Sequence, residues 1–419
     1  MLGLGFGLAT VVGGVIGAGI LRQPGVVAEA IPHPALILVL WAAGGLMAAI
    51  NALTVVELGA SLPRAGGPYA VVGHALGPRA GALVGWADWF NGMSTLAFLA
   101  VAFAEFLARA GVGAHRPPGQ AAVALVVAAF LMNAVGTRGM GRVQTLLSTL
   151  KGLALAVLVG ALFLAPAAPA PPRGPEAPVL ELAGLALALS AIHNTYTGYQ
   201  TPLYMGEEME RPDRHVARAV FGGLALVSAL YLLVNMGLLH ALGPEGMAGS
   251  SLALADGAQR VFGSEGALLV AGFGALSVAA SVNLRLMTHA RGAFAMARDG
   301  VLPPPLARVA PGGTPLLALV LTTAGAVGLA ASGAYLALVA VNAPLRLLIE
   351  IALVASLMRL RRTEPHRPRP FRMPLYPWPA VLALAVDAVL LVAVVWEDPV
   401  HSAVALGAVG LAALFVWAR

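Results

Sequence analysis

Residues 9–25 read ATVVGGVIGAGILRQPG, and this stretch decides how the rest of the chain is interpreted. Its centre is crowded with glycines and is followed by a proline: Gly13, Gly14, Gly17, Gly19 and Pro24. Glycine lowers helix stability and lets the backbone leave helical geometry. The pattern predicts a helix interrupted at its centre. Close packing of an intact helix through its small residues remains the alternative.

A second interruption lies in residues 188–208, ALSAIHNTYTGYQTPLYMGEE. Its centre is polar: His193, Asn194, Thr195, Tyr196, Thr197 and Gly198, with Pro202 one turn later. Non-helical backbone at membrane depth is tolerated only where it is buried in protein or lines a cavity. We therefore expect a second broken helix beside a cavity, the alternative being a helix kinked at Pro202 whose side chains are satisfied.

The composition identifies an all-α integral membrane protein. The chain is 59% hydrophobic and 11% charged, and its mean hydropathy is +0.85. Soluble domains average about 45–50% apolar and roughly 25% charged residues. Apolar runs of about 20 residues predict transmembrane helices. Twelve are predicted, at 4–30, 34–62, 80–108, 119–136, 141–165, 180–206, 216–242, 266–297, 314–332, 334–358, 377–396 and 399–417.

The distribution of arginines predicts the topology. Most arginines fall in loops that are cytoplasmic when the N-terminus is inside, so both termini are expected in the cytoplasm and the protein in the cytoplasmic (inner) membrane. The net charge of +6 then reflects contact with the lipid bilayer rather than with nucleic acid. The chain has no cysteine, so no disulfide-linked partner subunit is expected.

The two interruptions occupy matching places in the chain. The first five predicted spans cover 4–165, the next five cover 180–358, and two additional helices follow at 377–417, all within one transporter domain over 1–419. Because five is an odd number, the second block enters the membrane from the opposite side. Such 5+5 inverted repeats are typical of secondary transporters, whose substrate sites lie at broken helices 1 and 6. Free amides there suit a carboxylate, and free carbonyls suit an ammonium group.

Five stretches in order resemble the amino acid–polyamine–organocation transporter superfamily. They are GGVIGAGILRQPG in the first span, VELGASLPRAGGPY at 56–69, GEEMERPDRHVARAV at 206–220, SVNLRLMTHARGAFAMARDGVLP at 281–303 and RPRPFRMPLYPWP at 367–379. The resemblance runs almost end to end. It implies the leucine-transporter-type fold and amino acid transport by alternating access.

The resemblance also implies where the substrate binds. In members of the superfamily the glycine run of helix 1 holds the substrate carboxylate, which here corresponds to Gly17, Ala18, Gly19 and Ile20. The unwound part of helix 6, residues 193–198, offers its carbonyls to the amino group. Asn194 stands where members usually carry a bulky aromatic residue. We therefore expect a small or polar amino acid rather than a large aromatic one.

Lys151, the only lysine in the chain, is predicted near the middle of the membrane. It lies roughly 15 Å along its helix, where a lysine costs about 2.5–3.5 kcal/mol. We expect its ammonium to be held by Ser277, Ser281 and the carbonyls near Gly13 and Gly14. Snorkelling of the lysine to the interface, and back-bonding of the serines to their own helix, are the alternatives.

The resemblance gives Lys151 a role. In sodium-coupled relatives a sodium ion sits between helices 1 and 8, and members that lack sodium coupling place a helix-5 lysine there. Lys151 then stands in for the ion. A lysine that releases its proton makes the protein a proton-coupled symporter, whereas a permanent charge makes it an exchanger or uniporter. The sequence leaves this choice open, so protons are one candidate partner.

Several charged residues in or near the predicted spans are expected to have structural roles rather than to bind substrate. Glu57 and the basic linker 359–374 are expected at the cytoplasmic interface, and Arg346 and Glu350 as a pair on one helix face. Arg285 is expected at a cavity or beside an acid within the spans. A salt-bridge cluster at the inner gate is expected from Glu207, Glu208, Glu210, Arg211, Arg214 and Arg218.

The predicted function is sodium-independent secondary transport of amino acids. The alternatives are a polyamine or organocation transporter of the same fold, and a transporter-like substrate sensor. The nine histidines are scattered without metal-ligand spacing, so no enzyme activity, metal or cofactor is expected.

Overall fold

The computed structural model describes residues 3–112, 117–134, 137–169, 182–204, 207 and 210–417. In these ranges the regular structure is helical, with no strand. The helices are α1 Leu4–Val15, α2 Ala18–Ala30, α3 Pro34–Ser61, α4 Pro68–Leu76, α5 Pro78–Arg109, α6 Pro118–Ala134, α7 Thr137–Leu162, α8 Leu182–Thr195, α9 Thr201–Tyr204, α10 Pro212–Ala248, α11 Ala253–Phe262, α12 Ser264–Arg298, α13 Leu316–Ala330, α14 Tyr335–Thr363, α15 Trp378–Glu397 and α16 Pro399–Trp417. A short 3₁₀ turn covers Pro304–Ala307.

Each predicted span coincides with one helix or with a pair of helices separated by a break. Among the described residues, seven helices are long and apolar enough to cross a membrane, and the pair α1 and α2, bent by 42°, makes up to eight. Shorter apolar helices occur at Pro118–Ala134, Leu316–Ala330 and Pro399–Leu414. The chain is thus a multi-pass membrane protein. By length and hydropathy alone, at most eight segments of its described part qualify as membrane-spanning.

Prolines mark where several helices begin. Pro34, Pro68, Pro78 and Pro212 each lie at the first turn of a helix. Proline suits this position because the missing amide would have no partner there and its φ is already helical. Gly77, with a φ of 101°, makes the turn between α4 and α5, a conformation that favours glycine.

Helix α5 lies at the centre of the bundle, and α15 lies at its edge. The most apolar window of α5 is 72% buried, whereas that of α15 is 22% buried. Trp378 and Trp396, near the two ends of α15, are 73% and 88% exposed. At 1.5 Å per residue they lie about 27 Å apart, which matches aromatic belts at the two surfaces of a bilayer.

Glu57 of α3 is enclosed by other parts of the protein. Its side chain is buried, and it accepts hydrogen bonds from Arg361 at 2.8 and 2.6 Å. The Met373 amide donates to Glu57 at 2.6 Å, and Arg369 lies 3.3 Å away. A carboxylate removed from water needs such partners. The basic linker, residues 359–374, therefore folds back against α3, and its arginines supply the positive charges that neutralise Glu57.

Candidate functional site

The first break lies between α1 and α2, at the glycine-rich stretch. Ile16 and Gly17 have extended backbone conformations, and α2 begins at Ala18. The first amides of a helix have no partner within the helix itself, and because the residue before α2 is glycine, no side chain at that position caps them. These amides are available to a ligand carrying negative charge.

The second break separates α8, which ends at Thr195, from the single turn α9. Gly198 in this break has a φ of 121°, and a Cβ atom there would lie 2.4 Å from the carbonyl oxygen of Gly14. Only glycine fits such a close approach. The Tyr231 hydroxyl of α10 donates to the carbonyl of Val15 at 2.9 Å and lies 3.5 Å from that of Thr195. One side chain thus connects the two breaks.

A cavity lies between the two breaks and is lined by both. From the first it receives Gly14, Val15, Gly17, Ala18 and Gly19, and from the second Asn194, Thr195, Thr197 and Gln200. Ser281 of α12 also lines it. A Cβ atom on Gly17 would meet only the Val15 carbonyl, at 3.9 Å. A ligand in the cavity would therefore meet backbone groups of both breaks, which an unbroken helix would keep in its own hydrogen bonds.

The other predicted substrate residues lie behind the cavity wall. Ile20 is fully buried, and Gly198 packs against α1. Tyr196 is 1% exposed, and its hydroxyl donates to the carbonyl of Trp41 at 3.2 Å. His193 contacts Glu350, with Nε2 lying 3.1 Å from Oε2. These residues support the break and do not face the cavity.

Lys151 lies where α7, α1 and α12 meet, and it is fully buried. Its Nζ donates to the carbonyl oxygen of Gly13 at 2.9 Å and to Ser281 Oγ at 2.8 Å. Ser277, one turn before Ser281 on α12, contributes its carbonyl to the Ser281 hydroxyl at 3.1 Å, and its own hydroxyl has no hydrogen-bond partner among the described residues. Of the expected hosts, Gly13 and Ser281 hold the ammonium; Gly14 packs against the second break instead.

A polar face on α5 forms another wall of the cavity. The sequence suggests Asp88 as a packing or mouth residue rather than a substrate ligand, and Asn91 and Thr95 were not predicted. Asp88, Asn91 and Thr95 line the cavity. Tyr204 Oη donates to Asp88 at 2.6 Å, and Asn342 of α14 donates to Thr95 at 2.8 Å. The spacing i, i+3, i+7 places the three side chains on one helix face, and this periodicity was the signal available in the sequence.

Charged groups from α12 and α14 complete the cavity wall. Arg285 lines it and lies close enough to Asp88 for their charges to interact. Arg346 donates to both carboxylate oxygens of Glu350, at 3.3 and 3.1 Å, as the i,i+4 spacing predicts. Among the described residues, the one group able to hold a metal ion is His193, Glu350 and Asp387.

Two further groups of contacts involve charged residues. In one, Arg22 of α2 forms an ion pair with Glu105 and lies 4.4 Å from the centre of the Tyr335 ring; Tyr335 lines the cavity. The other joins Arg298 to Glu207 at 3.3 Å and Glu207 to the amide of Ala65 at 3.0 Å.

The second group differs from the predicted salt-bridge cluster, because Glu207 contacts α12 rather than Arg211, Arg214 or Arg218. Glu208 lies outside the described residues. Tyr69 Oη donates to Asp299 at 3.1 Å, and burial together with the Asp299 carboxylate raises the pKa of the Tyr69 phenol above its usual range.

Comparison with known proteins gives matches to amino acid transporters. The model of the amino acid permease family matches residues 7–414. The serine/threonine exchanger SteT of Bacillus subtilis is 27% identical, over 99% of this chain and 95% of its own. The large neutral amino acids transporter small subunit 2 of Mus musculus is 28% identical, over 97% of this chain and 78% of its own. The Asc-type amino acid transporter 1 of Mus musculus is 28% identical, over 74% of this chain and 60% of its own.

Proposed function

The chain belongs to the amino acid permease family, and from that premise we propose that it is a sodium-independent secondary transporter of small or polar amino acids that works by alternating access. Its helices then form twelve spans, with inverted repeats over 4–165 and 180–358 and two further helices over 377–417. Both termini face the cytoplasm, and the protein resides in the cytoplasmic membrane. The observation that carries the proposal is the cavity lined by both helix breaks.

The first break would bind the substrate carboxylate. The N-terminal amides of α2, at Ala18, Gly19 and Ile20, have no side-chain cap, and the helix dipole favours negative charge at this end. Gly17 leaves open space beside them. A carboxylate placed there receives backbone hydrogen bonds that water cannot provide inside the protein.

The second break would bind the amino group and face the side chain. Asn194, Thr195 and Thr197 line the cavity, and the unwound backbone supplies carbonyls that suit an ammonium group. Asn194 puts a polar amide where members of the superfamily usually carry an aromatic residue, and this favours a polar, hydroxyl-bearing substrate over a bulky apolar one. The name of the serine/threonine exchanger among the relatives agrees with this choice, whereas that of the large neutral amino acids transporter points to larger substrates.

The contacts of Lys151 support sodium-independent transport. Its ammonium already uses the Gly13 carbonyl and the Ser281 hydroxyl, two oxygens of α1 and α12. A second cation beside it would be repelled strongly in surroundings of low dielectric. We therefore infer coupling to a proton, or exchange of one amino acid for another, rather than sodium symport.

A polyamine substrate fits the cavity less well. Polyamines need free carboxylates, but Asp88 accepts a hydrogen bond from Tyr204 and Glu350 is paired with Arg346. Arg285 adds a further positive charge to the wall. The cavity thus suits a zwitterion better than a polycation.

Uptake of radiolabelled amino acids into proteoliposomes tests the proposal. We expect serine, threonine or alanine to be taken up or exchanged, and to compete better than phenylalanine or tryptophan. Replacement of sodium by choline should leave the rate nearly unchanged. Failure to take up or exchange any of the twenty amino acids would contradict the proposed function. Better competition by tryptophan or phenylalanine would contradict the substrate class alone.

A further inference from the structure

Four charged or titratable side chains meet beside the cavity where α8, α14 and α15 come together. His193, Glu350 and Asp387 each offer one ligand atom, and these atoms lie within 4.8 Å of one another. Arg346 donates to both oxygens of Glu350, and His193 Nε2 lies 3.1 Å from Glu350 Oε2. We call these four residues the charged cluster. Neither the substrate site nor the lysine site described above includes Asp387.

Two members of the cluster are incompletely satisfied among the described residues: Asp387, and Arg346, whose Nε has no hydrogen-bond partner. Asp387 is 0% exposed. Its Oδ1 accepts a hydrogen bond from the amide of Asn51 at 3.3 Å, and its Oδ2 has no hydrogen-bond partner within the described part of the chain. An ionised carboxylate removed from water is costly unless it is paired. Arg346 directs its Nη1 to Glu350, so Asp387 has no cation hydrogen-bonded to it.

The cluster lacks one positive charge. Two carboxylates and one guanidinium leave a net charge of minus one when His193 is neutral, and carboxylates this close together disfavour each other's ionisation. One bound proton, on Asp387 or on His193, restores neutrality. The other groups that face Asp387 carry no compensating charge: the amide of Asn51 and the hydroxyl of Tyr199, which bonds to Asn51. On α16 the titratable residue is His401, which pairs with Asp398.

We propose that the charged cluster binds the proton whose movement is coupled to amino acid transport, and that Asp387 is the carboxyl group that takes it up. This inference rests on the proposed function and adds the binding site of the proton that would drive amino acid transport. The carboxylate accepts a proton from water on one side of the membrane and returns it to water on the other side. No covalent bond to the substrate forms.

The cluster is placed to transmit its charge to the second break. His193 lies in the last turn of α8, before the break, and Gln200 lies at its end; both contact Glu350, at 3.1 and 3.2 Å. Arg346 and Glu350 also line the cavity. When Asp387 loses its proton, its negative charge competes with Glu350 for Arg346 and His193. The hydrogen bonds on both sides of the break then change, so proton binding and substrate binding act on the same backbone segment.

A divalent metal ion is the rival occupant. An imidazole nitrogen and carboxylate oxygens are suitable zinc ligands. However, Arg346 holds both oxygens of Glu350, and His193 Nε2 is directed at the same carboxylate. A metal would displace these contacts and lie beside a guanidinium that repels it. The geometry favours the proton.

The test compares accumulation with exchange in proteoliposomes. Asp387→Asn keeps the shape of the side chain and removes its ability to release a proton, whereas Asp387→Glu keeps the titratable group. Asp213→Asn makes the same chemical change at a side chain that is 49% exposed and serves as the matched control. Each variant is assayed for uptake driven by an inward proton gradient and for exchange of labelled against unlabelled serine without a gradient.

We expect wild type, Asp213→Asn and Asp387→Glu to accumulate serine when the gradient is imposed, and a protonophore to abolish this accumulation. Asp387→Asn should exchange serine yet reach only the level found without a gradient. Gradient-driven accumulation by Asp387→Asn, or wild-type exchange that ignores the gradient, would overturn the inference. Wild-type protein that neither accumulates nor exchanges any amino acid would count against the proposed function instead.

Two further measurements on the wild-type protein test proton binding and metal binding directly. If Asp387→Asn does not fold, proton uptake by the purified wild type is followed with a pH-sensitive dye as serine is added, and no proton uptake or release would overturn the inference. Loss of wild-type accumulation after treatment with a chelator, reversed by Zn²⁺ alone, would identify a metal ion and also overturn it.

Discussion

Substitution of Lys151 separates the charge of this side chain from its packing. Lys151→Ala removes both the ammonium, which donates to Gly13 and Ser281, and the buried aliphatic stem. Lys151→Met removes the ammonium but keeps an unbranched apolar side chain of similar length. The two variants therefore share the loss of charge and differ in the space that they leave.

The magnitudes follow from the contacts. A hydrogen bond to a charged group contributes about 1.5–3 kcal/mol, so the two bonds of Lys151 contribute about 3–6 kcal/mol. Relief from burying the ammonium, which costs several kcal/mol, offsets most of this. The stem adds about 0.8 kcal/mol for each buried methylene. We expect Lys151→Ala to lower the free energy of unfolding by about 2–3 kcal/mol, and Lys151→Met to leave it within about 1 kcal/mol of wild type.

Both variants should nevertheless lose most of their transport. The ammonium hydrogen-bonds α7 to both α1 and α12 beside the first break, and neither alanine nor methionine can donate to those oxygens. Thermal unfolding of the purified proteins measures stability, and serine exchange in proteoliposomes measures transport. Substrate binding can survive in both variants, because Lys151 does not line the cavity.

Two results would refute this reasoning. Full exchange activity in Lys151→Met would show that the ammonium is not needed for transport. Steep dependence of the wild-type rate on sodium would show that a cation binds in addition to Lys151. Serine exchange by wild type in choline serves as the reference for both variants.

Two other substitutions test the site and the fold. Gly17→Val should abolish amino acid binding while thermal stability changes little, because the new side chain enters the open cavity beside the amides of α2; normal binding in a direct radioligand assay would contradict the assignment. Glu57→Gln should lower the free energy of unfolding by about 3–5 kcal/mol, because it leaves the charges of Arg361 and Arg369 without their buried partner; an unchanged midpoint of thermal unfolding would contradict that ion cluster.

Much of the fold is predictable from local sequence, and so are the two helix breaks. The glycines of residues 9–25 and the polar run ending at Gly198 interrupt helices because of their own backbone and side-chain chemistry, which needs no distant partner. The bend between α1 and α2 and the non-helical segment after Thr195 lie where these patterns indicate. Lys151 was also informative, since an ammonium in an apolar helix must find oxygens inside the protein.

The identities of the partners required the tertiary structure. Glu57 meets Arg361 across 304 positions of the chain, and Asp387 lies beside His193, which belongs to the opposite half of the molecule in sequence. Helical periodicity states which face of a helix carries a polar residue but not which helix packs against that face.

The sequence by itself therefore determined where most helices lie, where two of them break and where a charged side chain is unfavourable in a bilayer. These properties depend on residues a few positions apart. Only the packing of α3, α8, α14 and α15 decided which buried charges neutralise one another, and that Asp387 has no cation hydrogen-bonded to it. Coulomb interactions depend on distances of a few ångströms in space, and the spacing of residues along the chain does not give these distances.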